Sequence, residues 1–291
     1  MMLKSPESDS MSPSPVPSRW HGQLQLEFVA DRMKTQLSHR YAQAPLKIQR
    51  PFYPEPGGVC HAAMLHTAGG IAEGDRLSMS LRLHPQAQAV VTTPAATKVY
   101  RSTGGTAEQQ VSLTVEAGAC LEWLPQEVIV FEGARFRQGV RVELGEGAIW
   151  LGWDLIRLGR SARGERFQRG EWRSHLEIWQ QGRPLWIDPQ RVVGGSDVLT
   201  SAHGLAGCPV IGSFAVVGAG VPQRLVDEAR SQIQTLAIQG DCGLTRLQQG
   251  MLCRYRGHST REARQWFTAV WDLARLSLLQ RQPCHPRLWA L

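Results

Sequence analysis

RLSMSLRLH, residues 76–84, alternates without a break: Leu77, Met79, Leu81 and Leu83 fall on one side of an extended chain, and Arg76, Ser78, Ser80 and Arg82 on the other. Successive side chains of a strand point to opposite faces, so this stretch reads as a half-buried β-strand with an apolar inner face. The same period returns in QVSLTVE (Val111, Leu113, Val115), VRVEL (Val140, Val142, Leu144) and EWRSHLEIW (Trp172, Leu176, Ile178). Glycine-containing breaks lie between them, at Gly104-Gly105, Gly118, Gly133, Gly145, Gly147 and Gly182. Short strands joined by turns carry this punctuation. No repeat length or recurring motif is visible, which argues for layered, irregular sheets over a regular solenoid.

Past Gly194-Gly195 the period changes. PVIGSFAVVGAG reads as an apolar strand, and VPQRLVDEARSQIQTLAIQ places Leu225, Val226, Ala229, Ile233, Leu236 and Ala237 on one helical stripe, with Pro222 suited to its first turn. A strand is expected near LTRLQQGMLCRYRG. A second helix then opens on STRE, residues 259–262, where the serine hydroxyl can accept from the backbone three residues on and the glutamate can reach back. Phe267, Val270, Trp271, Ala274 and Leu278 form its apolar face. The expected class is therefore mainly β: stacked irregular β-sheets, β-helix-like, with a C-terminal α+β portion carrying two helices. The expected division is a disordered Ser/Pro-rich tail over 1–18, a β-rich stack over 19–193, and a β-α-β-α portion over 194–291 that packs on or continues the same domain.

Composition narrows the function classes. The chain has 291 residues, a formal charge of +7 and a pI near 9.4. Its basic residues are spread along the sequence without a Lys/Arg block or nucleic-acid motif, so a basic surface for an acidic protein partner is the better reading. Neither a signal-peptide core nor a run of apolar residues long enough to span a membrane is present, and a cytoplasmic location is expected. Six cysteines occur without a C-x-x-C pair and are read as buried reduced thiols.

Chemical motifs are sparse. LHTAGGIAEGD, residues 65–75, lacks the Lys-Ser/Thr ending of a P-loop and the spacing of a dinucleotide fingerprint. It also precedes a strand, leaving no helix N-terminus to receive an anion. Its simplest reading is a glycine turn in which Asp75 bonds its own backbone. There is no G-x-S-x-G. Potential metal ligands occur as Cys60-His61, His66, His84 and Cys284-His285, but adjacent strand residues diverge, so a Cys-His dipeptide rarely holds one ion through both side chains. GRSARGERF, residues 159–167, sets Glu165 among Arg160, Arg163 and Arg166, as a solvated loop or a partner-facing one. In LEWLPQEVIVFEGA, residues 121–134, the acids Glu122, Glu127 and Glu132 are expected to face solvent while Trp123, Val128 and Val130 turn to the core.

In order and spacing, HTAGGIAEGDRL, TTPAATKVYRS, LEWLPQEVIVFEGA and GRSARGERF together resemble the urease accessory protein UreD (UreH) family, from about Trp20 to the C-terminus. The resemblance implies a non-catalytic maturation factor with no catalytic residues and no permanently bound cofactor. It implies partnership with UreF, the GTPase UreG and apo-urease, and transient nickel on its way to the urease active site. It further implies an internal polar passage for nickel, with Asp75 and Glu165, by their place in the motifs, as candidate metal-contacting residues. Neither nucleic acid nor membrane is an expected partner. The competing class is a β-rich carbohydrate-active enzyme whose paired carboxylates would be Glu127 and Glu132, or Asp75 and Glu165.

Overall fold

The computed structural model describes residues 19–290, and the tail expected over 1–18 lies outside them. The first strands are β1 (His21–Ala30), β2 (Thr35–Gln43), β3 (Leu46–Ile48), β4 (Cys60–His66), β5 (Arg76–Leu83) and β6 (Gln88–Thr92). There follow β7 (Thr97–Val99), β8 (Ala107–Val115), β9 (Cys120–Leu124), β10 (Val128–Val130), β11 (Arg135–Leu144) and β12 (Ile149–Leu158). The last are β13 (Glu171–Gln180), β14 (Arg183–Val193), β15 (Val210–Val217), β16 (Asp241–Leu247) and β17 (Gly250–Gly257). Two helices interrupt this final part, α1 (Gln223–Thr235) and α2 (Thr260–Ala274).

The chain winds back and forth between two sheets. A seven-stranded sheet runs β14-β13-β11-β8-β5-β1-β2, and a ten-stranded sheet runs β16-β17-β15-β12-β9-β6-β4-β3, with β7 and β10 joined to it beside β12. From β1 to β13 the seven-stranded sheet is parallel, because each strand is reached only after a passage through the other sheet. The winding is solenoid-like but uneven. Cross-strand partners are 32 residues apart at Arg76 and Glu108, 29 at Glu108 and Arg137, and 36 at Arg137 and Arg173. That unevenness is why no repeat shows in the sequence.

The alternating strands pack as their spacing predicts. Leu77, Met79, Leu81 and Leu83 are buried and their intervening residues exposed. Val111, Leu113, Val142, Leu144, Trp172 and Ile178 fill the same space between the sheets. Complete burial of a side chain of this kind stabilises the fold by about 1.5–3 kcal/mol.

The ten-stranded sheet is covered on both faces, so CLEWL and VIGSFAVV bury almost every residue and show no alternation. Its second face carries α1 and α2, with Leu225, Val226 and Ala229 of the first and Trp266, Phe267, Val270 and Trp271 of the second in a separate core. The expected β-α-β-α order needs correction: the single strand anticipated near residues 244–257 is a hairpin, β16 and β17, and it continues the ten-stranded sheet through β15. The helical stripe is also shorter than expected. Leu236 is 37 % exposed and Ala237 takes a φ of +51°, so the helix stops at Thr235.

At the start of α2 the Ser259 hydroxyl accepts from the Glu262 N–H, as the motif anticipates. The glutamate does not reach back; its carboxylate instead accepts from the N–H groups of Gln239 and Gly240 and from the Tyr255 hydroxyl. No helix among the described residues is long and apolar enough to cross a membrane.

Candidate functional site

Between the two apolar inner faces runs one polar row. On the seven-stranded sheet Gln109, Gln138, Ser174 and Gln190 are successive cross-strand neighbours. On the opposing sheet Asp154, Ser213 and Arg254 are neighbours in the same way. Gln138 Nε2 joins the two rows, donating to Asp154 Oδ2 at 2.5 Å and to Ser174 Oγ at 3.1 Å. Arg254 closes one end by donating to both oxygens of Asp188, at 2.8 and 2.6 Å, and to Ser213 Oγ at 2.7 Å.

This row borders an enclosed cavity of about 70 Å³, lined among others by Asp154, Gln138, Gln126, Thr93, Thr97 and His66. The space has room for several water molecules, since one needs about 10–15 Å³. Asp154 is partly buried, and burial pushes its carboxyl up to about 7, with the nearby Asp188 adding to the rise. His66 donates through Nδ1 to the Ala68 carbonyl, 3.1 Å away, while its buried Nε2 has no partner. Burial lowers its pKa, against the opposing pull of the Ala68 carbonyl and Asp75. A neutral imidazole with a free nitrogen is the form that ligates metals.

Asp75 and Glu165 are outside this lining. Asp75 is 3 % exposed; its Oδ1 accepts from the Trp20 N–H at 2.9 Å and its Oδ2 from the Ala72 N–H at 2.8 Å. It thus fastens the glycine turn to the chain entering β1, and its charge acts on His66. Gly74, with φ of +79°, supplies the turn's left-handed residue. Glu165 is paired with the Arg160 guanidinium and accepts from the Arg160 N–H at 2.9 Å and the Glu132 N–H at 3.3 Å. The Arg160 bond is the main reason its carboxyl is held near 2.

The expectation that the acids of LEWLPQEVIVFEGA face solvent is overturned. Glu122 is 0 % exposed, lies 3.0 Å from Arg275, and accepts from Trp271 Nε1 at 2.6 Å. Glu127 contacts Arg264 and Thr260, and Glu132 accepts from the N–H groups of Gln168 and Arg169. Strand parity fails here because the ten-stranded sheet has no solvent face at this point, so an acid on β9 meets the helices instead. Each of the four carboxylates considered for glycoside chemistry is held by partners of its own.

The structure also brings together one member of each Cys-His pair. Glu55, His61 and Cys284 have ligand atoms within 4.8 Å of one another. Their centre is already served by a cation: Arg275 Nη2 donates to both Glu55 oxygens at 2.7 Å, and His61 Nε2 lies 2.7 Å from Glu55 Oε1. Burial raises the Cys284 thiol pKa, which disfavours the thiolate a metal would need. All six cysteines are free.

Sequence reading missed Asp154, Gln138 and Ser174, because each is a lone polar residue on a strand face that is otherwise apolar. It missed Glu73 for a different reason, since its partners are distant in the chain. The Glu73 carboxylate accepts from the N–H groups of Thr103, Gly104 and Gly105 and from the hydroxyls of Ser102 and Thr103, which hold it near 2.

The profile described as UreD urease accessory protein matches residues 21–290. The urease accessory protein UreD of Nostoc punctiforme is 54 % identical over 276 residues, 95 % of this chain and 98 % of its own length. That of Acaryochloris marina is 55 % identical over 272 residues, covering 94 % and 96 %. The Synechocystis protein of the same name is 40 % identical over 252 residues, 86 % and 93 %.

Proposed function

The chain belongs to the UreD urease accessory protein family, a family of maturation factors and not of enzymes, and from that premise we propose that it conducts nickel toward apo-urease within a complex with UreF and the GTPase UreG. The observation that carries this reading is the cavity between the two sheets, whose largely apolar lining is broken by Asp154, with a pKa near 7, by the neutral imidazole of His66, and by Gln138, Gln126, Thr93 and Thr97. A cation in transit needs ligands that hold it briefly. Carboxylate, amide oxygen, imidazole and water bind a divalent ion more weakly and exchange faster than a thiolate cage. In this reading Asp154 and His66 are the contacts in the cavity, and Asp75 and Glu165 are transient contacts outside it, each through lone pairs left beside its existing hydrogen bonds. The role is that of a chaperone in the cytoplasm, with nickel as cargo and no resident cofactor.

The test compares Asp154→Ala and His66→Ala with the parent chain in a urease-producing strain lacking its own copy. The expected result is urease that assembles with its accessory proteins but holds little nickel. Normal nickel content in both variants, or a defect explained wholly by lost UreF binding, sinks the conduit reading.

A further inference from the structure

One row on the outer face of the seven-stranded sheet is densely charged: Arg76, Glu108, Arg137, Arg173 and Arg191 are successive cross-strand neighbours on five strands. Adjacent strands are about 4.8 Å apart, and like charges set opposite one another destabilise a sheet. Here three arginines stand side by side. One carboxylate, Glu171, accepts from both Arg173 Nε and Arg191 Nε at 2.7 Å, while Arg137 has no carboxylate partner among the described residues. Arg141, the next outward arginine on β11, is by contrast already paired with Glu143 and Glu177.

The neighbouring row holds Gln110, Gly139, His175 and Pro189. Gly139 sits in mid-strand, its register unbroken on both sides and its φ outside the left-handed region, so neither a bulge nor a turn accounts for it. A glycine in such a place weakens the strand and marks close approach by another group. Here that group is the Gln110 side chain, whose amide occupies the space an added Cβ would take. The result is a groove of about 490 Å³ with Gly139 and the Gln110 amide at its floor and Arg137, Arg173 and Arg191 along it.

We propose that this groove docks a carboxylate-bearing segment of a protein partner, which lies across Gln110 and Gly139 and pairs its acidic side chains with Arg137 and its two arginine neighbours. Guanidinium and carboxylate match in planar, two-bond geometry. A protein segment fits better than a nucleic-acid backbone because Glu108 interrupts the positive row and Glu171 and Glu177 lie beside it, which opposes a continuous line of phosphates but not spaced carboxylates. The chain's +7 charge steers an acidic partner toward it. The partner's membership of the urease machinery rests on the function proposed above; the chemistry of the groove does not.

The test measures binding of the full-length chain to UreF and to urease apoprotein at about 0.05 M and about 0.3 M salt. It uses Arg137→Glu, which reverses a cation, Gly139→Leu, which fills the floor, and Arg246→Glu, an exposed arginine of β16 away from the groove, as control. The expected result is an affinity for one partner lowered about tenfold or more by each groove variant, with the salt dependence reduced and the control unchanged. Equal affinity across all variants for both partners overturns the docking site. If the parent chain binds neither protein, the urease reading fails on its own, and a glutamate-rich peptide then decides the groove. Salt-sensitive peptide binding lost in Arg137→Glu upholds it, and no binding by the parent chain overturns it. Unchanged thermal melting of Gly139→Leu excludes misfolding as the cause of any loss.

Discussion

Arg275, just past the second helix, meets Glu122 of β9 across 153 residues of sequence, with the guanidinium wholly buried and the carboxylate nearly so. Nη2 donates to Oε1 at 3.3 Å, and Nε approaches Oε2 to 3.0 Å without a hydrogen-bonding angle, so that contact is electrostatic. Burial raises the Glu122 pKa, and Arg275 opposes the rise. The same guanidinium serves Glu55, so one cation holds two buried acids and ties the C-terminal segment to the sheets.

Arg275→Met is expected to cost about 3–5 kcal/mol, because it leaves buried carboxylates unpaired. Adding Glu122→Gln should return part of that loss, since the second change removes one of the stranded charges. Thermal or denaturant unfolding of the two variants checks this, and a double variant no more stable than the single one contradicts it.

Asp154 predicts a pH dependence of known sign. Its folded pKa, about 7, is raised above the ordinary 3.8, so its favourable share of stability is complete below about pH 4 and is lost as pH rises through 7. The loss reaches about 4 kcal/mol as an upper bound. Asp154→Asn should therefore be more stable than the parent at pH 8, with little difference at pH 4. Melting curves that keep the parent's slope between those values would show that Asp154 is not the titrating group.

At the glycine turn, Asp75→Ala strands the N–H groups of Trp20 and Ala72 and is expected to cost about 2–4 kcal/mol. Asp75→Asn keeps one acceptor and should cost less. Gly70→Val should be worse than either, because a Cβ there meets the Lys98 carbonyl oxygen at 2.6 Å and the Tyr100 ring at 2.8 Å. Denaturant midpoints of the three variants give the order, and Gly70→Val as the mildest would refute the packing argument.

Glu73→Ala should release the loop at residues 102–105, since five donors of that loop converge on one carboxylate. Amide hydrogen exchange at Thr103, Gly104 and Gly105 is expected to quicken while β5 and β8 stay protected. Protection that persists at those three amides would mean the loop is held by other contacts.

Sequence alone determined the parts that obey a local period. Leu77, Met79, Leu81 and Leu83 had to lie on one face because a strand turns each side chain over, and Phe267, Val270 and Trp271 had to share a stripe because a helix returns every three to four residues. The ordered motifs from residue 66 to residue 167 also pointed to the family, which the match over residues 21–290 bears out. Tertiary structure decided what no local period encodes. Gln138, Ser174 and Asp154 become one polar row only when β11, β13 and β12 are stacked, and Glu122 is buried only because helices cover the second face of its sheet. Hydrophobic periodicity reports which way a side chain turns; the partner that meets it there depends on strands brought together from offsets of 29 to 36 residues, and no local pattern carries that information.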